Sequence, residues 1–290
     1  MPGINPVKLR KAISRGPLMR LNETALLLIF FLSMSTAVAA PEGKGSLWTK
    51  RDSLKLCAGM GVYSAPLYTG AGKNTPLVFP LISAEYGRSG LRLFAGVIDG
   101  MGVEYTHERS GLFTSLSFAF GESRDPSDSA RLKGSAQIDA PVRYCLEAGY
   151  APDIVRLSVK GEMMPARVRS SEADNPQNIN CLRAAPSAEI LIPLLFGNLY
   201  LLCGASLYFM DSNTADSWYS LEAESSSKKY SAQAGIEKFQ SDLLLLYDFS
   251  YHISLGGFAR TEFLSAGCAD SPLSAHSTIF STGCYTMYRF

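Results

Sequence analysis

From about residue 54 onward, hydrophobic and polar residues alternate with a period of two, the pattern of strands with two unlike faces. Between 142 and 150, Val142, Tyr144, Leu146, Ala148 and Tyr150 share one face and leave Arg143 and Glu147 on the other. Between 153 and 163, Val155, Leu157, Val159 and Met163 oppose Arg156, Ser158, Lys160 and Glu162. Leu116, Phe118 and Phe120 oppose Ser115, Ser117 and Ala119. From Leu243 to Leu255 one face reads Leu243, Leu245, Tyr247, Phe249, Tyr251, Ile253, Leu255, and the other carries Asp248, Ser250, His252 and Ser254. The chain closes on Phe280, Thr282, Cys284, Thr286, Tyr288 and Phe290, all on one face.

The pattern predicts twelve strands, with ten as the alternative: roughly 54–63, 76–86, 91–98, 101–107, 111–120, 142–150, 153–163, 185–194, 199–209, 242–251, 256–264 and 278–290. The clearest runs are about 9–13 residues long, whereas a globular strand has ~5–6 and a tilted membrane strand ~9–11. The expected fold is therefore all-β, an antiparallel transmembrane β-barrel with apolar residues on lipid and polar residues in the lumen. Lipid supplies no hydrogen bonds to the backbone, so such a sheet must close. Short turns at 87–90, 108–110, 151–152 and 196–198 alternate with long polar connections at 64–75, 121–141, 164–184, 210–241 and 265–277; only Asp99-Gly100 is short on the second side. That asymmetry predicts short periplasmic turns and long outer loops, with both ends of the mature chain in the periplasm.

The first 39 residues follow a different rule. Leu26 to Leu32 is an unbroken apolar run preceded by Arg20 and followed by Ala37-Val-Ala39, the layout of a secretory signal peptide cut after Ala39. The run falls short of the ~20 residues a spanning helix needs. Lys8, Arg10, Lys11 and Arg15 make the lead long, and Met19 is an alternative start. The expected organisation is a signal peptide over 1–39, a periplasmic N-terminal segment over 40–53 and an outer-membrane barrel over 54–290.

Charge adds little beyond this. The whole chain has 27 Lys+Arg and 26 Asp+Glu. The signal holds five of the basic residues and one acidic residue, leaving a mature chain near −3 with no basic excess for nucleic acid. On the strand register Arg92, Glu104, Arg143, Glu147, Arg156, Lys160, Glu162 and Asp248 point into the lumen. Their mixed signs favour salt bridges that fill a narrow interior over a single-sign channel.

Other chemistry is sparse. Six cysteines in an exported chain raise the question of disulfides, and Cys268 with Cys284, flanking the last hairpin loop, is the candidate pair. No CxxC or Cys/His spacing suggests a metal, and no cofactor is expected. Gly70-Ala-Gly-Lys73 resembles a phosphate-binding loop but has Leu67 and Asn74 where that pattern needs glycine and a hydroxyl residue. His107, His252 and His276 are widely spread; His252 and Asp248 fall on one predicted face, which leaves a hydrolase site conceivable without a Gly-x-Ser-x-Gly elbow. Ser225 to Lys229 after Glu222 and Glu224 is a solvated loop tip.

Several segments in order resemble the MipA/OmpV family (MltA-interacting protein family) of outer-membrane proteins. They are Ala65-Pro-Leu-Tyr-Thr-Gly70 with Pro80 to Tyr86, the glycine-rich Leu93 to Tyr105, Phe120-Gly-Glu-Ser-Arg-Asp125 with Leu132-Lys-Gly134, and Leu264 to Leu273 with its Asp270-Ser-Pro272. The six cysteines depart from the family pattern. The resemblance implies a non-enzymatic barrel in the cell outer membrane, akin to a scaffold that links a murein lytic transglycosylase to a bifunctional penicillin-binding protein in cell-wall synthesis. A porin-like channel or a surface adhesin is the alternative. Expected partners are outer-membrane lipid, those murein enzymes and the barrel-assembly machinery, for which Tyr288 and Phe290 form the expected assembly signal.

Overall fold

The computed structural model describes residues 53–290 except 67, 72, 98–99, 134, 170–174, 195–197 and 222–229. The signal peptide and nearly all of the 40–53 segment thus lie outside the described residues. The strands are β1 (Ser53–Pro66), β2 (Asn74–Arg88), β3 (Leu91–Gly96), β4 (Gly100–Thr106), β5 (Leu112–Phe120), β6 (Ser123–Arg124), β7 (Gln137–Asp139), β8 (Val142–Tyr150), β9 (Val155–Arg169), β10 (Gln177–Pro193), β11 (Leu199–Met210), β12 (Gly235–Asp248), β13 (Ile253–Leu264) and β14 (Thr278–Arg289). Two helices, α1 (Ser212–Tyr219) and α2 (Ala266–Ala269), sit in loops.

All pairings are antiparallel, and β14 pairs with β1, so twelve strands close into a barrel. The short β6 and β7 continue the β5–β8 hairpin beyond the wall, with β7 also pairing to the end of β9. The short-turn rim carries tight hairpins. Between β2 and β3, Ser89 (φ 46°) and Gly90 (φ 81°) are both left-handed, as a two-residue type I′ turn requires.

Side chains follow the alternation. Val78, Ile82, Leu116, Leu146, Val159 and Leu245 face outward onto lipid, while Arg92, Glu104, Arg143 and Glu162 are buried inside. The outward aromatics form two girdles, richer in tyrosine at one end and in phenylalanine at the other. Tyr86, Tyr105, Tyr150, Tyr247 and Tyr288 ring the short-turn end; Phe118, Phe120, Phe239, Phe263 and Phe280 ring the other. Girdles of this kind mark the two membrane interfaces of a barrel.

Three expectations need correction. β9 and β10 run six and eight residues further toward the loop rim than predicted, to Arg169 and from Gln177, and β12 starts at Gly235 rather than 242. Beyond the lipid the outward positions turn polar (Arg167, Arg169, Asn178, Asn180), so the apolar half of the alternation vanishes although the hydrogen-bond ladder continues. The apolar run from Leu243 to Leu255 is two strands joined by a turn at 249–252, because Phe249 and Tyr251 are girdle residues of the turn itself. Asp248 is therefore buried while His252 lies outside, stacked on Tyr288 at 5.5 Å between ring centroids.

The third correction concerns sulfur. All six cysteines are free thiols, so the Cys268–Cys284 bridge is not formed. Cys268 is buried in α2 at the loop rim, whereas Cys284 lies exposed to lipid six residues down β14 from Thr278. Six residues of strand span ~20 Å, far beyond the ~7 Å limit between bridged Cα atoms. Burial pushes the Cys268 thiol up to about 11, which keeps it protonated and unreactive.

Candidate functional site

Ion pairs line the lumen at several levels, most of them between neighbouring strands. Near the short-turn rim, Arg289 donates to Asp248 at 2.7 Å and to the Ser254 hydroxyl at 2.7 Å. Further in, Arg92 joins Glu85 at 2.9 Å and Glu104 at 3.8 Å, and Arg156 reaches from β9 to Glu104 at 3.0 Å and Glu147 at 3.3 Å. One Oε1 atom of Glu162 takes both Arg143 at 3.1 Å and Lys160 at 2.8 Å. Arg260 pairs with Asp242, and Lys238 with Glu262 at 2.8 Å. Highest of all, Arg183 meets Glu122 at 3.0 Å and Glu237 at 2.8 Å.

Residues singled out in the sequence account for part of this lattice. Arg143, Glu147, Arg156, Lys160, Glu162 and Asp248 all project inward and each is paired. Arg183, Glu122, Glu237 and Lys238 fell in segments read as loops. Arg260, Glu262 and Arg289 sat in strands whose inward faces also carry Gly256, Phe258 and Tyr285, which blurs the alternation. The signal that was available is the β10 sequence itself, where Cys181, Arg183 and Ala185 keep the period of two.

A cap folded from the long loops covers the lumen. α1 begins at Asp211, whose carboxylate accepts from the Thr214 amide at 2.9 Å and from the Leu182 amide at 3.1 Å, tying the helix to β10. It ends against Arg124 of β6, which donates to the carbonyls of Trp218 (2.6 Å), Ser217 (2.8 Å) and Ala136 (3.3 Å). A cation on the last carbonyls of a helix satisfies acceptors that lack an internal partner. Burial lowers the Arg124 pKa to about 10, still high enough to keep it charged.

Beneath the helix, Trp218, Tyr219, Ala215, Met210, Met164, Cys181, Ile138 and Cys268 form one buried apolar cluster spanning the wall and three loops. Tyr68, Leu132, Leu221 and Leu273 form a second, which joins the first outer loop to the others. The Tyr219 hydroxyl donates to Glu237 at 2.8 Å, so the cap and the ion-pair lattice share a carboxylate. Within the ion-pair lattice a cavity of about 80 Å³ remains, lined by Arg143, Glu147, Arg156, Lys160, Ser187 and Tyr208 among others. That volume suits a handful of waters.

The other sequence motifs carry no chemistry. Gly70 (φ 88°) packs on Ser274, and its carbonyl accepts from the Ala275 amide at 2.6 Å, so this loop is a joint of the cap. His107 bonds Ser110 at 2.9 Å within its turn, and His252 contacts the Arg289 carbonyl at 2.8 Å. Among the described residues, no group of three or more His, Cys, Asp or Glu is placed to hold a metal.

At the chain end, Phe290 is exposed, its amide donates to the Leu56 carbonyl at 3.0 Å and its ring meets Tyr288 edge-on at 5.0 Å. These contacts bring Phe290 into the aromatic girdle at the seam where the barrel closes. Deleting Phe290 is expected to slow membrane insertion several-fold, read as loss of the heat-modifiable folded band on gels. Normal insertion of the truncated chain would show that the terminal aromatic has no assembly role.

Comparison with known proteins adds a family. The family model described as "MltA-interacting protein MipA" matches residues 58–290. No curated protein matches the sequence. Among solved structures, the chain is similar to an anion-selective porin from Comamonas acidovorans (13% identity, TM-score 0.35), with 72% of this chain covered and 59% of that one. It is also similar to Salmonella typhi OmpF in complex with daunomycin (9% identity, TM-score 0.40, 82% and 98% covered). A third is the translocator domain of the autotransporter NalP from Neisseria meningitidis (11% identity, TM-score 0.40, 83% and 90% covered). The chain thus spans less than two thirds of the Comamonas porin.

Proposed function

Because the chain belongs to the MltA-interacting protein MipA family, we propose that it is a non-enzymatic barrel of the outer membrane that serves as an interaction scaffold in cell-wall synthesis. Its partners would be a murein lytic transglycosylase, to which the family's name refers, and a bifunctional penicillin-binding protein. They would dock on the periplasmic face, made of the short turns and the N-terminal segment.

The observation that supports a scaffold over a pore is the lumen. Ion pairs line it from Arg289–Asp248 at one rim to Arg183–Glu237 at the other, and the apolar cap lies over the top. Buried pairs of this kind contribute little net stability, since desolvation offsets their attraction, but they fix one arrangement of the interior. A wall held this way presents a rigid rim, which is what a docking platform needs.

The porin-like reading keeps one observation in its favour: the cavity of about 80 Å³ lined by charged and hydroxyl groups. Planar bilayers separate the two. The purified protein is expected to give no stepwise conductance, and the folded barrel used as bait in envelope extracts is expected to retain murein enzymes. Stepwise conductance with no murein enzyme retained would overturn the scaffold in favour of the channel.

A further inference from the structure

Among the described residues, one stretch of the barrel wall is lower than its neighbours. β3 has six residues and β4 seven, against fourteen and fifteen in β1 and β2. At ~3.3 Å per residue and ~40° of tilt, six or seven residues rise only ~15 Å, whereas the apolar band of such a barrel is ~25 Å tall. Among the described residues, β3 stops opposite Ser83 and β4 opposite Phe118, so the wall beside β2 ends inside the band and leaves a notch between β2 and β5. Three inter-strand spacings make it ~14 Å wide.

β2 is the edge of this notch. Its lower half, Ser83 to Arg88, pairs with β3, and the last bond on that side runs from the Val97 amide to the Ile82 carbonyl at 3.0 Å. Above it, Asn74 to Leu81 is paired with β1 alone among the described residues. An open edge at lipid depth leaves backbone groups without partners, which membrane barrels avoid. The sequence softens this edge. Ile82 shows that even-numbered residues turn their polar backbone groups toward the notch, and two of them, Pro76 and Pro80, have no N–H.

The same half-strand breaks the lumen rule. Pro76, Val78, Pro80 and Ile82 face lipid, yet the inward positions Leu77, Phe79 and Leu81 are apolar too. They pack with Tyr63, Ala65 and Phe258 into an apolar patch on an otherwise charged inner surface. The notch also meets the lumen. Phe94 at its floor and Ala119 on its far side both line the charged cavity, and Arg92 lies over the Phe94 ring at 4.8 Å.

The geometry points to a lateral site in which an acyl chain of a lipid from the surrounding membrane enters through this notch and lies against Leu77, Phe79 and Leu81. An alkyl chain needs no hydrogen bonds, so it suits an edge that lacks the donors of Pro76 and Pro80. A partner strand is a poor occupant, because Pro76 and Pro80 deny it alternate bonds. This inference rests on the reading of the chain as a membrane-embedded barrel.

Tryptophan quenching by phosphatidylcholine vesicles brominated at mid-chain tests it, since bromine quenches only rings in contact with acyl chains. Phe79→Trp and Leu77→Trp probe the inward face of the notch, Val78→Trp is the lipid-facing reference, and Tyr208→Trp is an inward ring on the far wall. Quenching is taken as the difference from the unsubstituted protein, which has Trp48 and Trp218. Phe79→Trp and Leu77→Trp are expected to be quenched at least half as strongly as Val78→Trp, and Tyr208→Trp hardly at all. If Phe79→Trp does not fold, Leu77→Trp and Leu81→Trp carry the comparison. Protection of the inward pair to the level of Tyr208→Trp, with Val78→Trp still quenched, overturns the lateral site; a bound strand would produce this result and counts against the proposal. Loss of quenching at Val78→Trp as well overturns the membrane-embedded reading itself.

Discussion

Replacing Arg183 with methionine is expected to destabilise the protein by about 3–5 kcal/mol, the usual cost of leaving a buried charge without its partner. Arg183 is buried on β10 and is the cation between Glu122 and Glu237, both buried themselves. Without it, two carboxylates face each other at the junction of lumen and cap. Tyr219, which donates to Glu237, belongs to α1, and Trp218 beside it lies 5.9 Å from the Arg183 guanidinium. The damage should therefore reach the cap first. Urea titration of the protein in vesicles should show a lower midpoint, with Trp218 emission shifting to the red before the strands unfold. The triple variant Arg183→Met, Glu122→Gln, Glu237→Gln should recover most of the loss, because neutral groups of similar size need no counter-charge. A single variant within about 1 kcal/mol of the parent would mean that water reaches this site and screens it as at a surface.

Glu162→Leu is expected to cost a similar amount, about 3–5 kcal/mol, for the opposite reason. Glu162 is the anion shared by Arg143 and Lys160, so its removal leaves two cations close together in the narrow interior. Lys160→Met should cost much less. The Lys160 side chain is 20% exposed against 1% for Glu162, and Arg143 remains to balance the carboxylate. The midpoint of urea unfolding should fall in the order parent, Lys160→Met, Glu162→Leu. Equal effects of the two substitutions would show that the three groups do not act as a shared pair.

The two variants concern residues that differ in how plainly the chain displays them. Glu162 is visible in the sequence because Arg156, Ser158, Lys160 and Glu162 alternate strictly with Val155, Leu157, Val159 and Met163. Lipid on one side and a polar lumen on the other impose that pattern, and it fixes strand, face and depth together. Arg183 is hidden because its stretch of β10 extends beyond the lipid. There the outward residues Asn178 and Asn180 are as polar as any loop, and the remaining regularity lies in the inward set Cys181, Arg183 and Ala185.

The cap was hidden for a further reason. Trp218, Ile138, Leu132 and Leu273 are scattered through three polar connections, none with enough apolar residues to form a core. They pack into two clusters only when barrel closure brings the loops over a common opening. The Asp211 cap and Arg124 on the far end of α1 are likewise 87 residues apart in the chain and adjacent only across the barrel mouth. The thiols show the reverse error: Cys268 and Cys284 flank one loop in sequence, yet one lies under the cap and the other faces lipid.

By itself, then, the sequence determined the barrel, its strand order and its inward charges, because the boundary between lipid and lumen writes a period of two into every strand that crosses it. The pairing of those charges, the cap, the free thiols and the low wall at β3–β4 were decided by tertiary structure alone. Each depends on which strands stand side by side in the closed ring, in what register, and which loops meet over it, and the local alternation of residues holds no record of that.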